Sequence, residues 1–113
     1  MDPVQVVQDF INAFNARDVD RVVRCFSPDA VMQNEPGAVF AQGEEAIRAH
    51  FNWFLPQSPS VHAEILSRIH VGPWVVQEEH GSGLVLDEPV PDFDIISAYR
   101  VEDGKIVKCI GLQ

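Results

Sequence analysis

Two ionisable side chains stand two residues apart in a segment with the composition of a β-strand. Glu78 and His80 belong to the run that begins at Trp74, and residues two apart on a strand point to the same face of a sheet. Trp74 and Val76 share that face, which makes it the candidate wall of an apolar pocket. A carboxylate in apolar surroundings can act as a general base near neutral pH. We therefore predict that Glu78 or His80 accepts a proton.

The opposite face of this strand carries Val75, Gln77 and Glu79, and the alternation does not separate the two faces cleanly. We favour the Trp74 face on strand periodicity alone.

A metal site is the other chemistry to weigh here. His62 and Glu64 would have to join Glu78 and His80, but the spacing is loose and the sequence has no helical His-x-x-x-His pattern. We predict neither a metal nor a cofactor.

A third candidate stands at the end of a short strand predicted over residues 29–34. The amide of Asn34 both donates and accepts hydrogen bonds, so it can orient a carbonyl or a water molecule. It can equally be a turn residue before Pro36. A shift of one residue would instead bring the Glu35 carboxylate inward.

Length and charge restrict the class of protein. The chain has 113 residues and a formal net charge of −9, so we predict a single domain over residues 1–113. A negative field repels phosphate, which disfavours nucleic acid and anionic membranes as partners. Cys25 and Cys109 lie in apolar contexts, as free cysteines do. With no signal peptide or membrane span evident, we predict a cytoplasmic protein.

The elements that would position these side chains are helical first and extended later. Asp2-Pro3 opens a first helix, Asp18 caps a second that ends at Ser27-Pro28, and Gly43 begins a third that ends at Pro56. From residue 60 the apolar period changes from 3.6 to 2.

A hairpin over Asp94–Leu112 closes the chain, with Gly104 in its turn. Helices followed by strands indicate an α+β fold with an antiparallel sheet.

Four segments of the chain resemble the corresponding segments of the NTF2-like superfamily, and within it those of the SnoaL-like and ketosteroid-isomerase-like group. They are Asn15-Ala-Arg-Asp18, Phe26-Ser-Pro-Asp-Ala-Val31, Gly43-Glu-Glu-Ala-Ile-Arg48 and Tyr99-Arg-Val-Glu-Asp-Gly-Lys-Ile106. The resemblance implies a cone: three N-terminal helices packed on a curved antiparallel sheet around an internal pocket. It also implies a homodimer that pairs through the outer face of the sheet.

The resemblance carries over few catalytic residues. Ketosteroid isomerases have an Asp, a Tyr and a second Asp at places that match Asn34, Phe14 and Ser97, and none is retained. Limonene-epoxide-hydrolase-like enzymes share only Asn34, because Met32, Glu79, Gly81 and Gly111 stand near their other catalytic positions. A base must therefore come from elsewhere on the pocket wall.

The sequence thus predicts a small-molecule pocket protein. We expect ketosteroid-isomerase-like proton transfer on a small apolar ligand, with a limonene-epoxide-hydrolase-like hydrolase or a non-catalytic binding module as alternatives. The predicted catalytic residues are Asn34, Glu78 and His80. The predicted pocket residues are Phe10, Phe14, Met32, Phe51, Phe54, Trp74, Val76, Tyr99, Cys109 and Gly111.

Overall fold

The computed structural model describes residues 2–113. Three helices cover one face of a curved, open, six-stranded sheet, so the predicted NTF2-like cone is confirmed.

Each helix begins where the sequence places its cap. In α1, Pro3–Asn15, the Asp2 carboxylate accepts from the Val4 N–H, and Asp18 does the same for the Arg21 N–H in α2, Val19–Arg24. These side chains satisfy amide hydrogens that have no partner inside the helix. The third helix, α3, spans Glu44–Phe54, after Gly43.

The first strand begins earlier than predicted. α2 ends at Arg24, and β1 spans Phe26–Gln33, so Ser27 and Pro28 are extended. A proline disfavours helical backbone in the residue before it, which removes Ser27 from the helix. The short β2, Val39–Gln42, was not predicted, because a four-residue edge strand shows too little alternation.

The long strands match the period-2 region of the sequence. They are β3, His62–Val71; β4, Trp74–Ser82; β7, Phe93–Glu102; and β8, Lys105–Leu112. A small ribbon of β5, Val85–Leu86, and β6, Glu88–Pro89, lies between β4 and β7 in the chain.

The predicted hairpin is β7–β8. Asp103 and Gly104 both have positive φ in its turn, the backbone that two-residue hairpin turns need.

The strand order is β2-β1-β8-β7-β4-β3. All neighbours are antiparallel except β1 and β8, which run parallel. The expectation of a wholly antiparallel sheet is therefore wrong at this one pairing. Most of the chain separates these strands, so no tight turn forces them to be antiparallel.

Candidate functional site

A cavity of about 610 Å³ lies between the helices and the inner face of the sheet. This volume falls in the range of small-molecule sites. The structure places seven of the ten predicted pocket residues on its wall: Phe10, Phe14, Met32, Phe51, Phe54, Tyr99 and Cys109. Their role in binding remains a prediction.

Three predicted pocket residues do not line the cavity. Trp74 and Val76 lie on the outer face of the sheet, where the Arg100 guanidinium stands 5.7 Å from the Trp74 ring centroid. Gly111 is covered by Ile95, whose Cδ1 atom comes within 3.0 Å of the place where a Cβ would stand. The missing side chain of Gly111 thus makes room for Ile95, which does line the cavity.

The prediction that the Trp74 face of β4 lines the pocket is wrong. Val75, Gln77 and Glu79 are buried on the inner side, and Glu79 lines the cavity. Glu78 and His80 point to the outer side. The pattern misled because the outer face of this sheet is itself apolar, so large side chains at Trp74 and Val76 did not identify the inside.

Glu78 and His80 have surface partners instead of a ligand. Glu78 is exposed and its Oε1 accepts from the Ser67 hydroxyl over 3.3 Å. His80 Nδ1 lies 2.8 Å from Asp94 Oδ1, and its Nε2 lies 3.4 Å from Asp92 Oδ2. The hydrogen bond with Asp94 raises the pKa of His80 above its ordinary value. Neither side chain reaches the cavity, so neither is its proton acceptor.

Asn34 lies at the edge of the cavity. It follows β1 directly, its side chain is exposed, and it forms part of the cavity wall. Its backbone N–H donates to the Ala38 carbonyl over 3.1 Å in the turn before β2. Glu35 is exposed and does not line the cavity.

Glu79 is the carboxylate that the structure brings into the cavity. Its side chain is 8% exposed. Its Oε2 accepts from the Tyr99 hydroxyl and from the Gln77 amide, each over 2.7 Å. Within residues 2–113, no side chain donates a hydrogen bond to Oε1. One oxygen of the carboxylate is therefore held in place and the other is available to a ligand.

A second layer fixes the orientation of Gln77. Arg68 donates from Nε to Gln77 Oε1 over 2.8 Å and from Nη2 to Gln8 Oε1 over 3.0 Å. With its oxygen turned to Arg68, the Gln77 amide must present its N–H₂ group to Glu79. Arg68 does not line the cavity. The sequence analysis placed Glu79 on the less favoured face and near a catalytic position of the limonene-epoxide-hydrolase-like enzymes, but it did not predict this chain of hydrogen-bonded side chains.

Burial shifts the pKa of three other titratable groups on the wall: Tyr99, Cys109 and His50. Burial raises the pKa of Tyr99 well above its ordinary value, and the nearby Cys109 and Glu79 add to the shift. Burial, followed by the charge of Glu79, likewise raises the pKa of the Cys109 thiol. Burial lowers the pKa of His50, whose ring packs against Phe40, Phe51 and Phe54. Neutral Tyr99 is thus a hydrogen-bond donor to Glu79.

Within residues 2–113, no group of three or more His, Cys, Asp or Glu side chains is arranged to hold a metal ion. No helix in this part of the chain combines the length and the apolar character that crossing a membrane requires.

The family model of the SnoaL-like domain matches residues 7–109. The chain therefore belongs to the SnoaL-like family.

Two solved structures show the same fold. An uncharacterized cystatin-fold protein from Novosphingobium aromaticivorans is 29% identical, with a TM-score of 0.92 over 100% of this chain and 99% of that one. A limonene-epoxide-hydrolase-like epoxide hydrolase from M. tuberculosis is 20% identical, with a TM-score of 0.79 over 97% of this chain and 80% of that one. At 20% identity the likeness to the hydrolase shows the fold alone.

A curated relative is much longer than this chain. The 3-phosphoshikimate 1-carboxyvinyltransferase of Pseudoalteromonas translucida is 29% identical over 85 residues, which cover 75% of this chain and 19% of that protein. The chain thus matches about a fifth of that relative's length.

Proposed function

We propose that the cavity binds a small apolar ring compound and that Glu79 removes a proton from it. The observation that carries the proposal is the free Oε1 of a buried carboxylate on the wall of a mostly apolar cavity. Tyr99 and Gln77 hold Oε2, so Oε1 has a fixed direction. Fixed geometry is what a general base needs to act in the transition state.

The proposed reaction is an isomerisation by proton transfer. Oε1 takes a proton from the carbon beside a ring carbonyl, and the C–H electron pair moves to form an enolate. The protonated Glu79 then returns the proton to another carbon of the conjugated system, which shifts the double bond. Asn34 and His50, both on the wall, carry N–H groups that can donate to the enolate oxygen.

The test is hydrogen exchange at carbon, which reports proton removal even when no isomer accumulates. Wild-type protein is incubated in D₂O with cyclohexanone and with 3-cyclohexen-1-one, and deuterium uptake is followed by NMR. We expect uptake and formation of the conjugated ketone above the buffer rate. Glu79→Gln should reduce the enzymatic rate by about 10²–10⁴-fold. Exchange at the buffer rate with wild-type protein contradicts the proposal for these ketones.

A hydrolase is the second candidate, because the same carboxylate can take a proton from water instead of from carbon. Limonene-epoxide-hydrolase-like enzymes have a catalytic Arg and Asp near the positions that Glu79 and Gly81 occupy in this chain. The Arg68 side chain of this chain does not line the cavity. Cyclohexene oxide distinguishes the two candidates: formation of the diol without exchange into either ketone supports the hydrolase. Retention of a ketone without either reaction supports a non-catalytic binder.

A second copy of the chain is the proposed partner. The outer face of the sheet exposes large apolar side chains on β3, β7 and β8, with Ile69 64%, Ile96 49% and Leu112 41% exposed. Exposed apolar patches on a sheet are typical of interfaces, and the surface continues through Val76 on β4, which pairs with Ile69. Sedimentation should give a dimer that Ile69→Glu dissociates. Leu86→Glu, on the β5–β6 ribbon, is the matched control and should leave the dimer intact.

A cytoplasmic location remains a prediction, which cell fractionation tests.

A further inference from the structure

The cavity is an aromatic enclosure. Eight of the chain's ten aromatic residues line it, and only Phe26 and Trp74 do not. Several of the rings meet edge to face, as Phe10 and Phe51 do with centroids 6.0 Å apart. The faces of aromatic rings carry negative charge density and attract cations. The wall therefore offers a ligand attraction for positive charge as well as apolar contact area.

One residue carries the formal charge of the wall at neutral pH, with its histidines counted as neutral. Glu79 is the acidic residue of the wall, and neither a lysine nor an arginine from residues 2–113 lines the cavity. Two histidines, His50 and His62, also line the wall, and burial lowers the pKa of His50. Arg68, the nearest basic residue in the hydrogen-bond chain, is engaged by Gln77 and Gln8. An anionic ligand would meet a carboxylate without a compensating lysine or arginine on the wall.

We propose that the cavity selects ligands by charge and binds ring compounds that carry a protonated amine more tightly than their neutral or anionic counterparts. The ammonium group would donate to the free Oε1 of Glu79, with its charge against the aromatic rings. The net charge of −9 adds a long-range attraction for cations. Such amines would compete with a ketone substrate for Glu79.

This inference rests on the same cavity and carboxylate as the proposed function, but it does not require turnover. Binding is therefore measured without a reaction. The probes are three ligands of one shape: 2-naphthylmethylamine, 2-naphthylmethanol and 2-naphthoate. Calorimetry at pH 8 keeps ordinary histidines neutral and the amine largely protonated.

We expect the amine to bind about tenfold more tightly than the alcohol, and the carboxylate to bind more weakly than either. In Glu79→Gln the amine should lose this advantage and match the alcohol within about twofold. Glu78→Gln is the matched control, because it removes the same charge from the outer face. The Glu78→Gln variant should bind the amine, the alcohol and the carboxylate in the same order of affinity as wild-type protein.

Equal affinities for amine and alcohol in wild-type protein, or a carboxylate that binds as tightly as the amine, overturn the inference. So does the absence of binding by all three probes. These results stand even if Glu79→Gln does not fold, because the ranking is measured on the wild type. Ketone exchange without amine preference would leave the proposed function intact and reject only this inference.

Discussion

The Tyr99 hydroxyl donates a hydrogen bond to Glu79 Oε2 over 2.7 Å, and both side chains are buried. The two residues lie on neighbouring strands, but they do not face each other: Tyr99 pairs with Val75, and Glu79 pairs with Ile95. The long phenol side chain bridges this offset along the inner face of the sheet. The bond holds Oε2, and Oε1 of this cavity-lining carboxylate has no side-chain donor within residues 2–113.

Removing this bond should destabilise the protein without changing its fold. Tyr99→Phe keeps the ring in the core but leaves Glu79 with one donor fewer. Buried hydrogen bonds to charged groups contribute about 1.5–3 kcal/mol, so we expect a loss of that size in the free energy of unfolding, measured by urea denaturation. Gln5→Ala, which removes an exposed hydrogen bond to Asp9, should cost well below about 1 kcal/mol. Equal losses in the two variants would contradict the account.

His80 should titrate above its ordinary pKa because of Asp94. The hydrogen bond to Asp94 is the largest cause of the raised pKa, and the bond to Asp92 is a smaller one. Histidine NMR should therefore show a larger fall in the His80 pKa for Asp94→Asn than for Asp92→Asn. The reverse order, or no change in either variant, would show that these contacts do not persist in solution.

The sign of the effect on stability follows from the raised pKa. The folded state holds the His80 proton more tightly than the unfolded state, so this contribution is fully present below the ordinary histidine pKa of 6.5. It is lost as the pH rises through the folded-state pKa. The stability advantage of wild-type protein over Asp94→Asn should shrink over that range.

The sequence predicts the helices and the long strands well, because each is specified by local signals. Asp2 and Asp18 cap helices, and Asp103-Gly104 forms the hairpin turn. The inner face of β4 could not be identified this way. Apolar residues lie on both faces of this sheet. The local sequence therefore does not distinguish Val75, on the inner face, from Val76, on the outer face.

The information that identifies the inner face of β4 is non-local. Glu79 points inward together with Tyr99, and that register is known only once β4 and β7 are paired. Gly81 gives one signal that was available: a Cβ there would stand 2.5 Å from the Phe93 ring. A glycine inside a strand indicates that another group approaches closely, which is consistent with Gly81 and Glu79 sharing the inner face.

Two glycines with left-handed backbone should differ sharply in their tolerance of a side chain. Gly83 and Gly37 have φ of 71° and 87°. A Cβ at Gly83 would stand 2.2 Å from the Ser60 carbonyl oxygen, whereas nothing lies within 4 Å of one at Gly37. Gly37→Ala should therefore cost about 1 kcal/mol from backbone strain alone, and Gly83→Ala clearly more. Thermal unfolding that ranks them equally would contradict this packing.

The most direct test of Glu79 as proton acceptor compares two adjacent substitutions on one strand. Glu79→Gln and Glu78→Gln change the same functional group on opposite faces of β4. On 3-cyclohexen-1-one in D₂O, we predict that Glu79→Gln loses about 10²–10⁴-fold of the enzymatic exchange rate, with the ketone affinity nearly unchanged. Glu78→Gln should exchange at the wild-type rate. Exchange that survives in Glu79→Gln, or that fails equally in both variants, would contradict the account.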